Sequence, residues 1–176
     1  MQVTDQSTIE TTDGCYFTII GNIHPPGRYV GLVTYVPSEA WHSGARKRIG
    51  DAEYTKISRM WFENFKEYER HLGSYSRYLY EDAFFGAVTS VPEDMVKQII
   101  KPVPVSGIAV DACRMLDISP DDAVLVGSSM LECDYNGDID LGIVGRKNVM
   151  SAWKNLRRLI EIPEYRVHHD YFGCPH

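Results

Sequence analysis

The chain has 176 residues, 44% of them hydrophobic and 24% charged. This is globular composition, and it excludes a collagen-like or broadly disordered protein. A formal net charge of −6 removes any global positive field that would draw in a nucleic-acid backbone, although a local basic patch is compatible with it. The apolar stretches are short and interrupted, so no membrane span is expected. Met1-Gln2-Val3-Thr4-Asp5 lacks the basic-then-apolar pattern of a signal peptide, and a soluble cytoplasmic protein is expected. Cys15, Cys113, Cys133 and Cys174 form no CxxC pair and read as reduced thiols acting as small apolar fillers.

In chain order, residues 1–14 are polar and are expected to fray or turn. From Cys15 the pattern becomes β. Residues 16–20 and 28–36 are rich in β-branched and aromatic side chains, separated by the turn-forming His24-Pro25-Pro26-Gly27 and closed by Pro37. A third β segment is expected over 49–57, reached through Arg46-Lys47-Arg48, whose charges read as a solvated face. His24, inside its Pro-Pro-Gly turn, reads as structural.

Residues 59–72 switch to helical periodicity. Their aromatic stripe suits the buried face of a helix better than a platform for stacking bases. Val91-Pro92-Glu93-Asp94 predicts the opening of a second helix, with proline at its first position and acids in its first turn. Lys101-Pro102-Val103-Pro104 stops it and serves as a linker. The expected organisation is therefore a β-rich module over 1–104 and a second domain over 105–176.

In that second domain a helix is predicted over 105–117, then a short buried strand at Val124-Leu125-Val126 and another over 139–144. An amphipathic helix follows over 148–160, with Asn148 as its N-cap and Trp153, Leu156 and Ile160 on its apolar side. A last strand is expected over 165–171. The fold class is thus α+β: a mixed β-sheet with flanking helices, preceded by a mostly β module that carries a helix.

Chemistry concentrates between Val124 and Val144. A hydrophobic strand ends in Gly127-Ser128, and Asp138-Ile139-Asp140-Leu141 begins the next strand. Gly127 removes a Cβ where a triphosphate would approach the backbone. Ser128 and Ser129 would open a short helix over 128–132, their hydroxyls and free N–H groups turned to an anion. Asp138 and Asp140, two apart on a strand, would point to one face, and paired carboxylates of that kind suit hard, oxygen-seeking Mg²⁺. The bland alternative is a turn rich in turn-forming residues. An EF-hand starting at Asp134 fails, because Gly145 stands where the loop needs a glutamate.

Residues 124–144 resemble the signature of the DNA polymerase β-type nucleotidyltransferase superfamily, Gly-Ser followed after a spacer by Asp-x-Asp. The wider chain is similar to the predicted nucleotidyltransferases found largely in archaea, through Phe17 to Gly21, His24 to Arg28, Tyr35-Val36-Pro37, Arg46 to Gly50, Tyr54-Thr55-Lys56 and Val144 to Asn148. The resemblance implies transfer of a nucleoside monophosphate from an NTP to an acceptor hydroxyl, with loss of pyrophosphate. It implies that Gly127 and Ser128, with Ser129, hold phosphates, and that Asp138 and Asp140 ligate Mg²⁺ (or Mn²⁺). Arg146 and Lys147 read equally as phosphate-neutralising cations and as surface charges.

The family also needs a third carboxylate on a later strand. Asp170 is the acid on the last expected strand, which leaves two readings: a compact site that uses Asp170, or a fragment that lacks its third acid. His168, His169, Asp170, Cys174 and His176 fit no familiar zinc spacing. Two further functions stay open beside the transferase. One is a non-catalytic nucleotide-binding sensor with the same pocket; the other is a transferase whose acceptor is a protein rather than a nucleic acid or small molecule.

Overall fold

Apolar residues are nearly continuous through Cys15-Tyr16-Phe17-Thr18-Ile19, and an extended chain sends neighbours to opposite faces. The sheet built on this segment is buried on both sides. In the computed structural model, residues 3–39, 45–57, 77–131 and 139–161 are described. The fold is α+β and mostly antiparallel sheet, with two helices among the described residues. Two compact units divide the chain: Met1–Val103 with Val126–Asp140, and Pro104–Leu125 with Leu141–His176.

The first unit contains β1 (Thr8–Thr11), β2 (Tyr16–Ile19), β3 (Arg28–Pro37), β4 (Arg46–Ile49), β5 (Ala52–Lys56), β6 (Leu79–Asp82), β7 (Gly86–Pro92) and β8 (Val96–Ile100). The sheet runs β4-β5-β3-β2-β1-β8, with β7 joined to β3 and β6 to β7. β3 organises it: Arg28–Val30 pair with β7, Gly31–Tyr35 with β2, and Tyr35–Pro37 with β5.

A register shift between Tyr16 and Phe17 sets Tyr16 opposite Tyr35 but Phe17 opposite Val33. The extra residue, Thr34, reverses the side-chain parity of β3. Val33 and Val36 therefore join Ile9, Phe17, Ile19, Tyr78 and Val91 in one cluster, while Tyr35 joins Tyr16, Ile49, Tyr54 and Leu131 in another. Each fully buried aromatic or branched aliphatic side chain here contributes about 1.5–3 kcal/mol.

Three expectations are corrected. Residues 3–14 do not fray: β1 lies between β2 and β8 with Ile9, Ser7, Thr8 and Thr11 buried. The polar side chains are tolerated because they are bonded. Thr11 Oγ1 donates to Asp13 Oδ1 at 2.5 Å and accepts from the Cys15 N–H at 2.9 Å. The helix expected from Pro92 is reduced to a 3₁₀ turn, Glu93–Met95, which leads directly into β8. Its β-branched Val96, Ile99 and Ile100 pair with β1, and that ladder outweighs the helix-opening signals. The segment expected as one strand over 49–57 is a hairpin, β4 and β5, turning at Gly50 with φ +56°.

The second unit carries α1 (Ile108–Met115), β10 (Ala123–Leu125), β11 (Leu141–Ile143) and α2 (Arg146–Ile160). A three-stranded sheet runs in the order β11, β10 and β9, where β9 is Val103–Pro104. Cys113, Ile118, Ala123 and Ala152 form its buried cluster. α1 ends at Asp117 in the left-handed region, φ +55°, where the Ile118 N–H donates back to the Cys113 carbonyl at 3.1 Å.

α2 departs from the expected helix at both its cap and its apolar face. Its N-cap is Gly145, and Asn148 lies within the first turn, donating through Nδ2 to the Val144 carbonyl at 2.8 Å. Trp153 and Leu156, expected on the buried side, are exposed. The expected helix over 59–72 and the expected strand over 165–171 lie outside the described residues. No helix among the described residues is long and apolar enough to cross a membrane.

Candidate functional site

β10 and β11 pair antiparallel in the register Ala123↔Ile143, Val124↔Gly142 and Leu125↔Leu141. The ladder gains one more bond at its end, from the Val126 N–H to the Asp140 carbonyl at 3.0 Å. Gly127 follows at φ +61°, a left-handed conformation that L side chains rarely adopt, and begins a 3₁₀ turn, Gly127–Met130. The short helix expected over 128–132 is thus this tighter turn, begun one residue earlier. Met130 and Leu131 behind it are buried, Leu131 among Tyr16, Tyr35, Ile49 and Tyr54 of the first unit. The Leu131 N–H also donates to the Ser128 carbonyl at 3.2 Å. These side chains anchor the corner from behind. The reading of the sequence passed over them, although two apolar residues directly after Gly-Ser-Ser are the signal for such an anchor.

The register brings Asp140 onto the corner. A Cβ added at Gly127 would lie 2.5 Å from Asp140 Oδ2 and 3.2 Å from its Cγ, so the carboxyl group occupies the space a side chain would need. The Asp140 N–H donates to Ser129 Oγ at 3.4 Å. Gly127 is therefore required twice, by its backbone conformation and by the acid packed over its Cα. Asp140 fills the space that the missing Cβ leaves.

Gly127, Ser129 and Asp140 come together, with Ser128 beside them in the turn, half-buried like Ser129. Asp140 is exposed, and no hydrogen bond or ion pair to its carboxylate is found among the described residues. Lys147 is exposed in the first turn of α2, in the second unit, as is Arg146. Asp138 and Asp170 lie outside the described residues. Among the described residues, no three His, Cys, Asp or Glu side chains gather as a metal-ligating group.

Elsewhere the polar groups are structural. His24 Nδ1 accepts from the Val30 N–H at 3.2 Å and its ring meets Tyr29 edge-on at 5.6 Å, with burial pushing its pKa down. The Tyr78 hydroxyl donates to Asp13 Oδ1 at 2.5 Å, and its pKa is pushed far up, first by burial and then by that bond. Cys15 and Cys113 are buried, and burial raises the pKa of Cys113.

No family model matches the chain, and neither the curated proteins nor the solved structures give a match. The resemblance to polymerase β-type transferases rests on the motif residues themselves.

Proposed function

We propose that the Gly127 corner and Asp140 form part of the nucleotide site of a polymerase β-type nucleotidyltransferase. The observation behind this is the Asp140 carboxylate lying over the Cα of Gly127, without a protein partner among the described residues, in a residue whose N–H is bonded to the Ser129 hydroxyl. An exposed carboxylate with open lone pairs is a suitable oxygen donor for a hard divalent cation, so the residues present fit Mg²⁺ or Mn²⁺. Asp138 and Asp140 would hold such a cation, which, when bound, neutralises triphosphate charge and stabilises the leaving pyrophosphate.

The chain's own groups do the rest. Ser128 and Ser129 donate their hydroxyl hydrogens to phosphate oxygens. The acceptor hydroxyl oxygen forms a bond to the α-phosphorus as the bond from that phosphorus to the pyrophosphate oxygen breaks. The hydroxyl proton passes to the third carboxylate, Asp170 in this reading. Leu131 holds the turn against the buried tyrosines, so that serines and acid keep one arrangement and need little reorganisation.

The test is incubation of the protein with labelled NTPs and Mg²⁺ or Mn²⁺. Pyrophosphate release that Asp140→Asn abolishes supports the proposal. Saturable NTP binding without pyrophosphate release, in the presence of candidate nucleic-acid, protein and small-molecule acceptors, overturns the catalytic reading and leaves a nucleotide sensor.

A further inference from the structure

The inner side of α2 presents buried Ala152 with half-buried Asn148, Ser151, Asn155 and Leu159, while four large apolar side chains face outward. Ser151 Oγ donates to the Asp117 carbonyl at 3.4 Å, and Asn155 Nδ2 donates to the Leu116 carbonyl at 3.1 Å. These bonds fix the rotation of the helix, because turning it to bury the apolar side would leave carbonyls at the end of α1 without their donors. On the outward side Val149, Met150, Trp153 and Leu156 are exposed, Trp153 at 60% and Met150 at 61%. Val149, Trp153 and Leu156 recur at i, i+4 and i+7, the spacing with which one helix meets another. Met150, Ser151, Trp153, Lys154 and Arg157 also line a recess of about 610 Å³.

The charge on this helix narrows the choice of occupant. Arg146, Lys147, Lys154, Arg157 and Arg158 are all exposed and α2 contains no acid, in a chain whose net charge is −6. Two copies meeting through α2 would bring ten cations together, which disfavours a symmetric dimer on this face. Nucleic acid would use the cations and Trp153 but would gain little from Val149 and Leu156. An anionic lipid surface calls for a helix whose polar side faces water, whereas the polar side of α2 is bonded to protein.

We propose that the outward face of α2 docks an acidic amphipathic helix of a partner protein. Leucine-like side chains of that helix pack on Val149, Trp153 and Leu156, and its carboxylates pair with Lys154 and Arg157. The proposal stands independently of the transferase reading.

The test uses the full chain and a fluorescein-labelled synthetic helix with leucines at its a and d positions and glutamates flanking them. Anisotropy should show saturable binding at about 50 mM salt, weakened at least tenfold at about 300 mM. Trp153 emission should shift to shorter wavelength on docking. Trp153→Ala, and Lys154→Glu with Arg157→Glu, should each weaken binding at least tenfold while circular dichroism stays that of the wild type. Phe84→Ala, which removes an exposed aromatic in the first unit, should leave binding unchanged. Absence of binding, or equal binding of a scrambled peptide of the same composition, overturns the proposal. So does a face that takes a single-stranded oligonucleotide or phosphatidylglycerol vesicles but not the peptide, or a wild-type dimer that Trp153→Glu makes monomeric.

Discussion

In the first unit, Asp13 is surrounded by donors: the Thr11 and Tyr78 hydroxyls reach Oδ1 at 2.5 Å, and Arg77 stands 3.5 Å from Oδ2. Asp140 at the Gly127 corner is held as closely, but by a different means. Its N–H is bonded to Ser129, its carbonyl accepts from Val126, and its carboxyl group rests on a bare Cα, yet its oxygens receive no donor among the described residues. Asp13 commits Oδ1 to two hydroxyls of the fold and keeps Oδ2 buried, without a hydrogen bond, 3.5 Å from Arg77, whereas Asp140 is positioned by backbone and sterics and turns its oxygens to solvent. A carboxylate left open in a fixed place is one that can serve a ligand, which is why the corner, rather than the more heavily bonded acid, carries the functional reading.

Four measurements would break or sharpen this contrast. Gly127→Ala should have the largest effect, since it places a Cβ 2.5 Å from Asp140 Oδ2 at a left-handed φ. Pyrophosphate release is expected to fall by about a hundredfold or more, with about 1–3 kcal/mol of stability lost in urea denaturation. In an Asp140→Gly background the same substitution should cost less stability, because only the backbone term remains. Equal costs in both backgrounds would mean that the acid does not press on the glycine.

Asp140→Asn keeps the shape of the side chain and should also cost about a hundredfold in turnover, while leaving the unfolding midpoint nearly unchanged. Asp13→Ala should do the reverse. It leaves the Tyr78 and Thr11 hydroxyls without their acceptor and is expected to cost about 1–3 kcal/mol in stability, with NTP turnover per folded molecule preserved. If both acids behaved alike, the division into structural and available carboxylates would fail.

The smallest expected effect is the pH dependence at His24. Burial lowers its pKa in the folded chain, and its Nδ1 must stay unprotonated to accept from Val30. The unfolded chain takes up a proton near pH 6.5 and the folded chain only at lower pH. This histidine's contribution is therefore intact above about pH 6.5 and is lost as pH falls through that value toward the lowered one. The urea midpoint should drop between about pH 7.5 and about pH 5.5, and by less in His24→Gln.

Much of this protein was legible in its residues. β-Branched and aromatic residues around Phe17 and along Arg28–Pro37 marked strands, and Gly127-Ser128 with Asp140 marked the corner, because composition and special backbone positions are local properties. Long-range pairing was not legible. The polar residues of Thr8–Thr11 became a central strand because Asp13 and Cys15 satisfy Thr11 and because β2 and β8 flank them. Val96–Ile100 became a strand only because β1 offered it a ladder. The same holds for α2, whose helical pattern predicted the element but not which side would be buried. Carbonyls at Leu116 and Asp117, more than thirty positions away in sequence, selected the asparagine and serine side instead.

The sequence by itself determined the elements that depend on neighbours a few residues apart, together with the glycine-serine corner. Tertiary structure alone decided that Asp140 fills the space Gly127 leaves and that α2 turns its apolar flank outward. Both outcomes depend on strand register and on hydrogen bonds between segments distant in the chain, and no local pattern encodes those distances.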